Sequence, residues 1–479
     1  MYLYKYLKEL GCKTIIVENK YIDKNYLIDY TKYYSRCFVD YPKKCKRVHF
    51  FNKNFSEKDF ISVIKNEDTS SLSLKDLNES YLGFSVVRPL PETIIGKTVL
   101  KTYDKHNEGF YFRTVRDYNV NLFGLPLVVK QSLAHQEQDT VTAAYATSAL
   151  WSAFNKTHEL FEKGQPPSPS EITDFALEYI YGSRPITSKG LSLDQMCQAI
   201  HKVGLEPHVT SMEEDGAIVP ILSHIYSYVN GEIPVILIIK PEYAGLHAIT
   251  ITGYCFRDKP TIKRETDRAS EKKYCRLKGR RISEFFVHDD QFGPFAKMKV
   301  IKGTKKCPVN FDISMPWGTK SFWGTITPIA IIVPLYPKIR VGFLSVYGWI
   351  TKLNMFIEKG LNLKRNEIEW DIYFSRLNQY KEYVRDNIEK YGSKSQDILL
   401  GSYPRFIWRA RAYINNREVF EVISDATDTH KSFFIKDMIF FDEQIKNILN
   451  KYLQTSIVKT LAKLVFTEQF ITFLNKATK

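Results

Sequence analysis

The chain has 479 residues, 44% of them hydrophobic and 14% aromatic, which excludes a largely disordered protein and leaves room for two or three domains. It carries 68 Lys and Arg against 53 Asp and Glu, a net charge of +15, which favours acidic partners. Seven cysteines at irregular spacing, with no CxxC pair, argue against a disulfide framework and a cysteine-based zinc site.

Residues 1–125 alternate short β-like runs (Thr14–Glu18, Arg47–Phe51, Tyr81–Arg88) with helical stretches, such as the one that Ser56 and Asp59 open with capping-box spacing. This stretch reads as an α/β accessory module. Residues 126–303 hold the chemistry-bearing motifs. A helix follows Gln138, with Thr147, Leu150, Trp151 and Phe154 on its inner face. A second begins at the Ser192/Gln195 capping box, shows Leu193, Met196, Cys197 and Ile200 on one face, and ends at Gly204. Ile233–Ile239 reads as a buried strand, His247-Ala248-Ile249-Thr250-Ile251 as a strand with the histidine at its entrance, and Phe285–Val287 as a strand stopping at Asp289 and Asp290. Residues 304–479 read as an α+β module: strand-like at Thr327–Leu335, helical over Ile368–Leu377, and paired strands at Arg405–Arg411 and Val419–Asp428.

The N-terminus lacks the apolar core of a secretory signal. The longest apolar run, Ile326–Tyr336, contains two prolines and falls short of the ~20 residues that span a bilayer. A soluble cytoplasmic protein, away from membranes, is the expectation; oligomeric state is not written in the sequence. Between Arg257 and Arg281, eleven Lys or Arg stand against four Asp or Glu. This basic loop, 257–281, is a surface insertion and a candidate contact for an acidic partner. Acting on nucleic acid through it is one functional alternative, although Phe256 and Tyr274 give little for base stacking.

Gln138, a small-residue turn running into an apolar helix, then His247, then Asp289-Asp290 form the sequence Gln, helix, His, Asp. A thiol peptidase needs a thiolate at a helix N-terminus, a base, a group to orient the base and donors for the oxyanion. These pieces, over residues 126–300, resemble the papain-like cysteine peptidase superfamily, in particular its C39-like bacterial branch. The resemblance implies an α+β fold with a papain-like core, a helix bundle packed on an antiparallel sheet. It implies His247 as base, Asp289 or Asp290 as its orienting partner, with His288 facing away, and Gln138 as oxyanion donor with Gln136 second. It also places the nucleophile at Ala144, counted six residues on from Gln138, or at Tyr145, from alignment of Ala149-Leu150. Neither is a thiol, and a phenol with a pKa near ~10 is a poor substitute. The expected function is therefore a cysteine-peptidase relative for peptide or isopeptide bonds, inactive as written. A pseudopeptidase scaffold or sensor that binds a polypeptide is the alternative. No cofactor or metal is expected. Cys197 reads as a core thiol, and Asp425 and Asp428 as a turn or cap rather than a cation site.

Overall fold

The computed structural model describes residues 2–67, 72–91, 93–103, 109–137, 146–178, 190–212, 220–259, 274–304, 308–317, 321, 323–428, 434–455 and 468–478. Gln138, Ala144, Tyr145, Cys307 and most of the basic loop lie outside them.

Near the N-terminus, β1 (Thr14–Tyr21), β2 (Cys45–Phe51), β3 (Tyr81–Val87) and β4 (Ile95–Leu100) form one sheet in chain order. Every pairing in it is antiparallel, so this region is not the α/β layer that the alternation of elements suggested. The capping box at Ser56 and Asp59 is present. Next come β5 (Phe110–Phe112) and a hairpin of β6 (Arg116–Leu122) and β7 (Leu125–Ser132). Its two-residue loop, Phe123-Gly124, has positive φ at both positions (49° and 89°), the twist a tight hairpin demands.

The central element is a closed barrel. It uses β9 (Val235–Pro241), β10 (His247–Phe256), β12 (Ile282–Asp289), β13 (Gly293–Lys302), β14 (Val309–Ser314) and β15 (Ile326–Leu335). Their order is β12-β13-β14-β15-β9-β10, and β10 pairs back onto β12 to close the ring. β5 adds to β10 and β8 (Glu206–Ser211) to β15. The expected papain-like core, a helix bundle on an open antiparallel sheet, is therefore corrected to an α+β architecture built around a six-stranded barrel. The physical reason is long-range pairing: β14 and β15, which the sequence assigns beyond residue 303, complete the ring between β13 and β9. Closure crowds β10. A Cβ on Gly253 would sit 2.3 Å from the Tyr111 carbonyl oxygen of β5, so only glycine fits there.

Outside the barrel, the Thr147–Leu160 helix packs on β9, β10 and β12. All four residues of its expected inner face are buried, and so is almost every other residue; the Pro169–Leu177 helix also packs against it. The Leu193–Lys202 helix has its capping box and ends at Gly204 with φ +71°. Its buried face is Met196, Ala199 and Ile200; Leu193 is exposed and Cys197 only half-buried.

The last sheet orders β11 (Arg276–Leu277), β16 (Ile368–Arg376), β17 (Phe406–Ile414), β18 (Arg417–Asp425) and β19 (Ile435–Phe440). Ile368–Arg376 is thus a strand, not the helix its sequence suggested. Both of its faces are buried, because Glu369 pairs with Arg276 and Asp371 with Lys278, so the usual in-out alternation is missing. Among the described residues no helix is long and apolar enough to cross a membrane.

Candidate functional site

The site forms where β10 begins and β12 ends. Thr250 pairs with His288, so the start of β10 runs past the end of β12 and puts His247 over the Asp289–Gly293 turn. His247 Nε2 lies 3.4 Å from Asp289 Oδ1 and 3.5 Å from Asp290 Oδ1. Both distances exceed the ~2.8 Å of a tight charge-assisted bond, so the imidazole is poised between two carboxylates rather than clamped by one. Its Nδ1 makes no hydrogen bond among the described residues.

Asp289 is held from several sides. Its Oδ1 accepts from the amides of Gln291 (2.9 Å) and Phe292 (3.1 Å), and its Oδ2 accepts from Trp323 Nε1 at 3.0 Å. The Trp323 ring also lies 5.6 Å from the His247 ring. Asp290 is the opposite case. It is buried, yet neither carboxylate oxygen has a hydrogen-bond partner.

Burial raises the Asp289 carboxyl, but His247, Trp323 and the Gln291 amide outweigh it, so the group stays below the usual carboxylate range. Burial pushes Asp290 up to about 7, helped by Asp289 and resisted by His247. Burial alone pulls His247 down, but the two aspartates reverse this and leave it above the ordinary imidazole value.

These shifts set a pH dependence. A carboxyl raised from ~3.9 to about 7 binds more protons in the folded state, so folding stability falls as pH rises across that window. His247, also raised, adds a loss that starts above ~6.5. Asp289, lowered, contributes stability that disappears only in strong acid. Denaturant midpoints should therefore decline between pH 5 and 7.5, and Asp290→Asn should flatten that decline and exceed wild type at pH 7.5 by ~2–3 kcal/mol. Parallel profiles for the two proteins would show that Asp290 is not the titrating group.

The structure thus brings His247, Asp289 and Asp290 together. His288 points the other way, with its ring 5.4 Å from His135 and 4.5 Å from Phe295. Gln136 is buried and makes no hydrogen bond to the trio. Cys197 sits elsewhere, on the Leu193–Lys202 helix, and burial raises its thiol pKa, which makes it a poor nucleophile. Asp425 accepts the Thr427 amide and hydroxyl, both at 2.7 Å, which is a turn.

Two participants escaped the sequence. Trp323 lies in a loop far along the chain, where only a Trp-Gly pair hinted at a fixed position. His135 donates from Nε2 to the Asp289 carbonyl oxygen at 3.1 Å, and it lines a cavity of about 420 Å³ with Asp290, Tyr2 and Phe292. The oxygen can only accept, so Nε2 carries the proton.

The first turn of the Thr147–Leu160 helix reaches this region. Thr250 Oγ1, three residues along β10 from His247, donates to the Ala149 carbonyl at 2.7 Å. Ala146 precedes the helix and its side chain caps none of the first-turn amides, at the positive end of the helix dipole. The Ser148 hydroxyl there is buried without a partner.

No family model matches this chain, and no curated protein matches it either. The chemistry must be read from the geometry. An imidazole held at Nε2 with Nδ1 unengaged can accept a proton at Nδ1, and the carboxylate beside it is fixed by an indole and two amides. The same trio offers three N and O ligand atoms within 4.8 Å of one another, a donor set that suits a divalent cation.

Proposed function

We propose that this chain is a thiol-peptidase relative whose His247–Asp289 pair faces a polypeptide, acting on peptide or isopeptide bonds where a thiol fills the slot. As written, with Ala144 and Tyr145 at the two slots, it binds the polypeptide without cleaving it. The supporting observation is the imidazole itself, which presents Nε2 to a pinned carboxylate and keeps Nδ1 unengaged among the described residues, on the strand whose Thr250 bonds the first turn of the Thr147–Leu160 helix. That arrangement deprotonates a thiol at the helix terminus, and the terminus stabilises the resulting anion. We take the site of action to be the cytoplasm, where a thiol-dependent relative stays reduced.

The test is a pair of variants, Ala144→Cys and Tyr145→Cys, each titrated with a thiol-directed electrophile with and without His247→Ala. One variant should show a thiolate pKa at least ~1 unit below the ordinary ~8.5, returning to it when His247 is removed. Two ordinary thiols, indifferent to His247, would defeat the reading.

A further inference from the structure

A second cleft, of about 340 Å³, lies where the barrel faces the five-stranded sheet. Arg113 and Tyr254 line its barrel side, Arg409 and Arg411 its sheet side, and Tyr383 one end. Phe256 and Lys278, at the two described ends of the basic segment, reach it as well.

The cleft has more donors than acceptors. Arg409 gives Nε to Glu421 at 2.6 Å and Nη2 to the Tyr391 hydroxyl at 3.3 Å. Arg411 gives Nε to Glu418 at 2.9 Å and Nη2 to the Tyr383 hydroxyl at 3.2 Å, as well as to Glu418. In neither is Nη1 used by any hydrogen bond among the described residues. Arg113 pairs with no carboxylate there; the Tyr254 phenol and the Tyr111 ring are its neighbours. The acids within the cleft are already engaged. Asp371 accepts from Tyr226 (2.8 Å) and Lys278 (2.9 Å), and Glu232 accepts from Arg376 (3.0 Å) and Gln379 (2.7 Å). Three guanidiniums with unused N–H groups and no free acid between them make a site for an anion that takes several forked bonds, as phosphate does.

The walls are flat. Arg409 lies 4.5 Å from the Tyr383 ring and 5.3 Å from Tyr373. Opposite, the Tyr254 ring lies 5.4 Å from Tyr111, tilted by 32°, and meets Phe256 edge-on at 5.1 Å. Such faces take a planar ring at little entropic cost. The volume is at the small end of ligand sites, too small for a folded partner and adequate for one base, one sugar and one phosphate.

We propose that this cleft binds a nucleoside monophosphate, with Arg113, Arg409 and Arg411 around the phosphate and the tyrosine rings against the base. Nothing in this proposal depends on the His247 site.

The experiment is calorimetric titration of the full chain at fixed ionic strength with AMP, GMP, CMP and UMP, beside adenosine and inorganic phosphate. At least one monophosphate should bind at ~100 μM or tighter, with adenosine and phosphate each ~10-fold weaker or more. Arg113→Gln, at an exposed residue, should weaken that binding ~10-fold or more and leave the melting temperature unchanged. The double variant Arg411→Gln/Glu418→Gln should weaken binding likewise, with some loss of melting temperature because Lys390 also loses Glu418. Absence of binding by every monophosphate at ~1 mM overturns the proposal. So does equal binding of phosphate alone, or an affinity that Arg113→Gln leaves within twofold of wild type.

Discussion

Replacing Asp289 by alanine is expected to destabilise the fold by ~3–5 kcal/mol and to dismantle the base. The carboxylate is fully buried and accepts from Trp323 Nε1, two amides and His247. Its loss strands three N–H donors in a buried site and leaves the imidazole facing only the unbonded Asp290. With the main opposing charge gone, burial drives the His247 pKa down rather than up, and a cysteine placed at Ala144 or Tyr145 reverts to an ordinary thiol. Asp289→Asn separates the two effects: the amide oxygen still accepts from the turn, so part of the stability returns although its Nδ2 now faces the Trp323 N–H, while the charge does not return. Denaturant titration reads the first effect and the NMR pKa of His247 the second. An alanine variant within ~0.5 kcal/mol of wild type, with the His247 pKa unmoved, would remove Asp289 from its positioning role.

Glu421→Ala should cost a similar ~3–5 kcal/mol, far from the first site. Glu421 and Arg409 are a buried pair in adjacent strands, and the second Glu421 oxygen accepts from Tyr391 at 2.6 Å. Removing the acid leaves a guanidinium in a medium that solvates it poorly, which is dearer than never having had the pair. The double variant Arg409→Met/Glu421→Leu should therefore recover most of the loss. Against a total stability of ~5–15 kcal/mol, the single variant unfolds at a visibly lower denaturant midpoint and the double one near wild type. A single variant as stable as the double would mean that hydration of the Arg409 Nη1 from the adjoining cleft suffices to compensate the lost carboxylate.

What the residues disclose and what they hide follow one rule. Local signals carried: the capping boxes at Ser56 and Ser192, the left-handed Gly204, and strands such as Arg47–Phe51, whose ends are marked by nearby polar residues. The histidine at a strand entrance and the aspartates at a strand end were legible because each sits at a change of pattern. Signals that depend on distant partners did not carry. Ile368–Arg376 lost its alternation because its acids are buried by cations nearly a hundred residues away. Barrel closure needs β15 inserted between β14 and β9, and no period in the sequence records that. Trp323 reaches Asp289 across 34 residues, and a single indole in a loop has no spacing to betray it.

The closed ring also orders events in time. A chain made from its N-terminus delivers His247 first, Asp289 next and Trp323 later, and the ring cannot shut before β15, which ends at Leu335, has been made. Until then β10 can already pair with β9 and β12 and bring His247 to Asp289, but the Trp323 indole that holds the carboxylate and the strand that closes the ring are still missing. The last parts of the site to be made are therefore those that fix the carboxylate, not the one that supplies the imidazole.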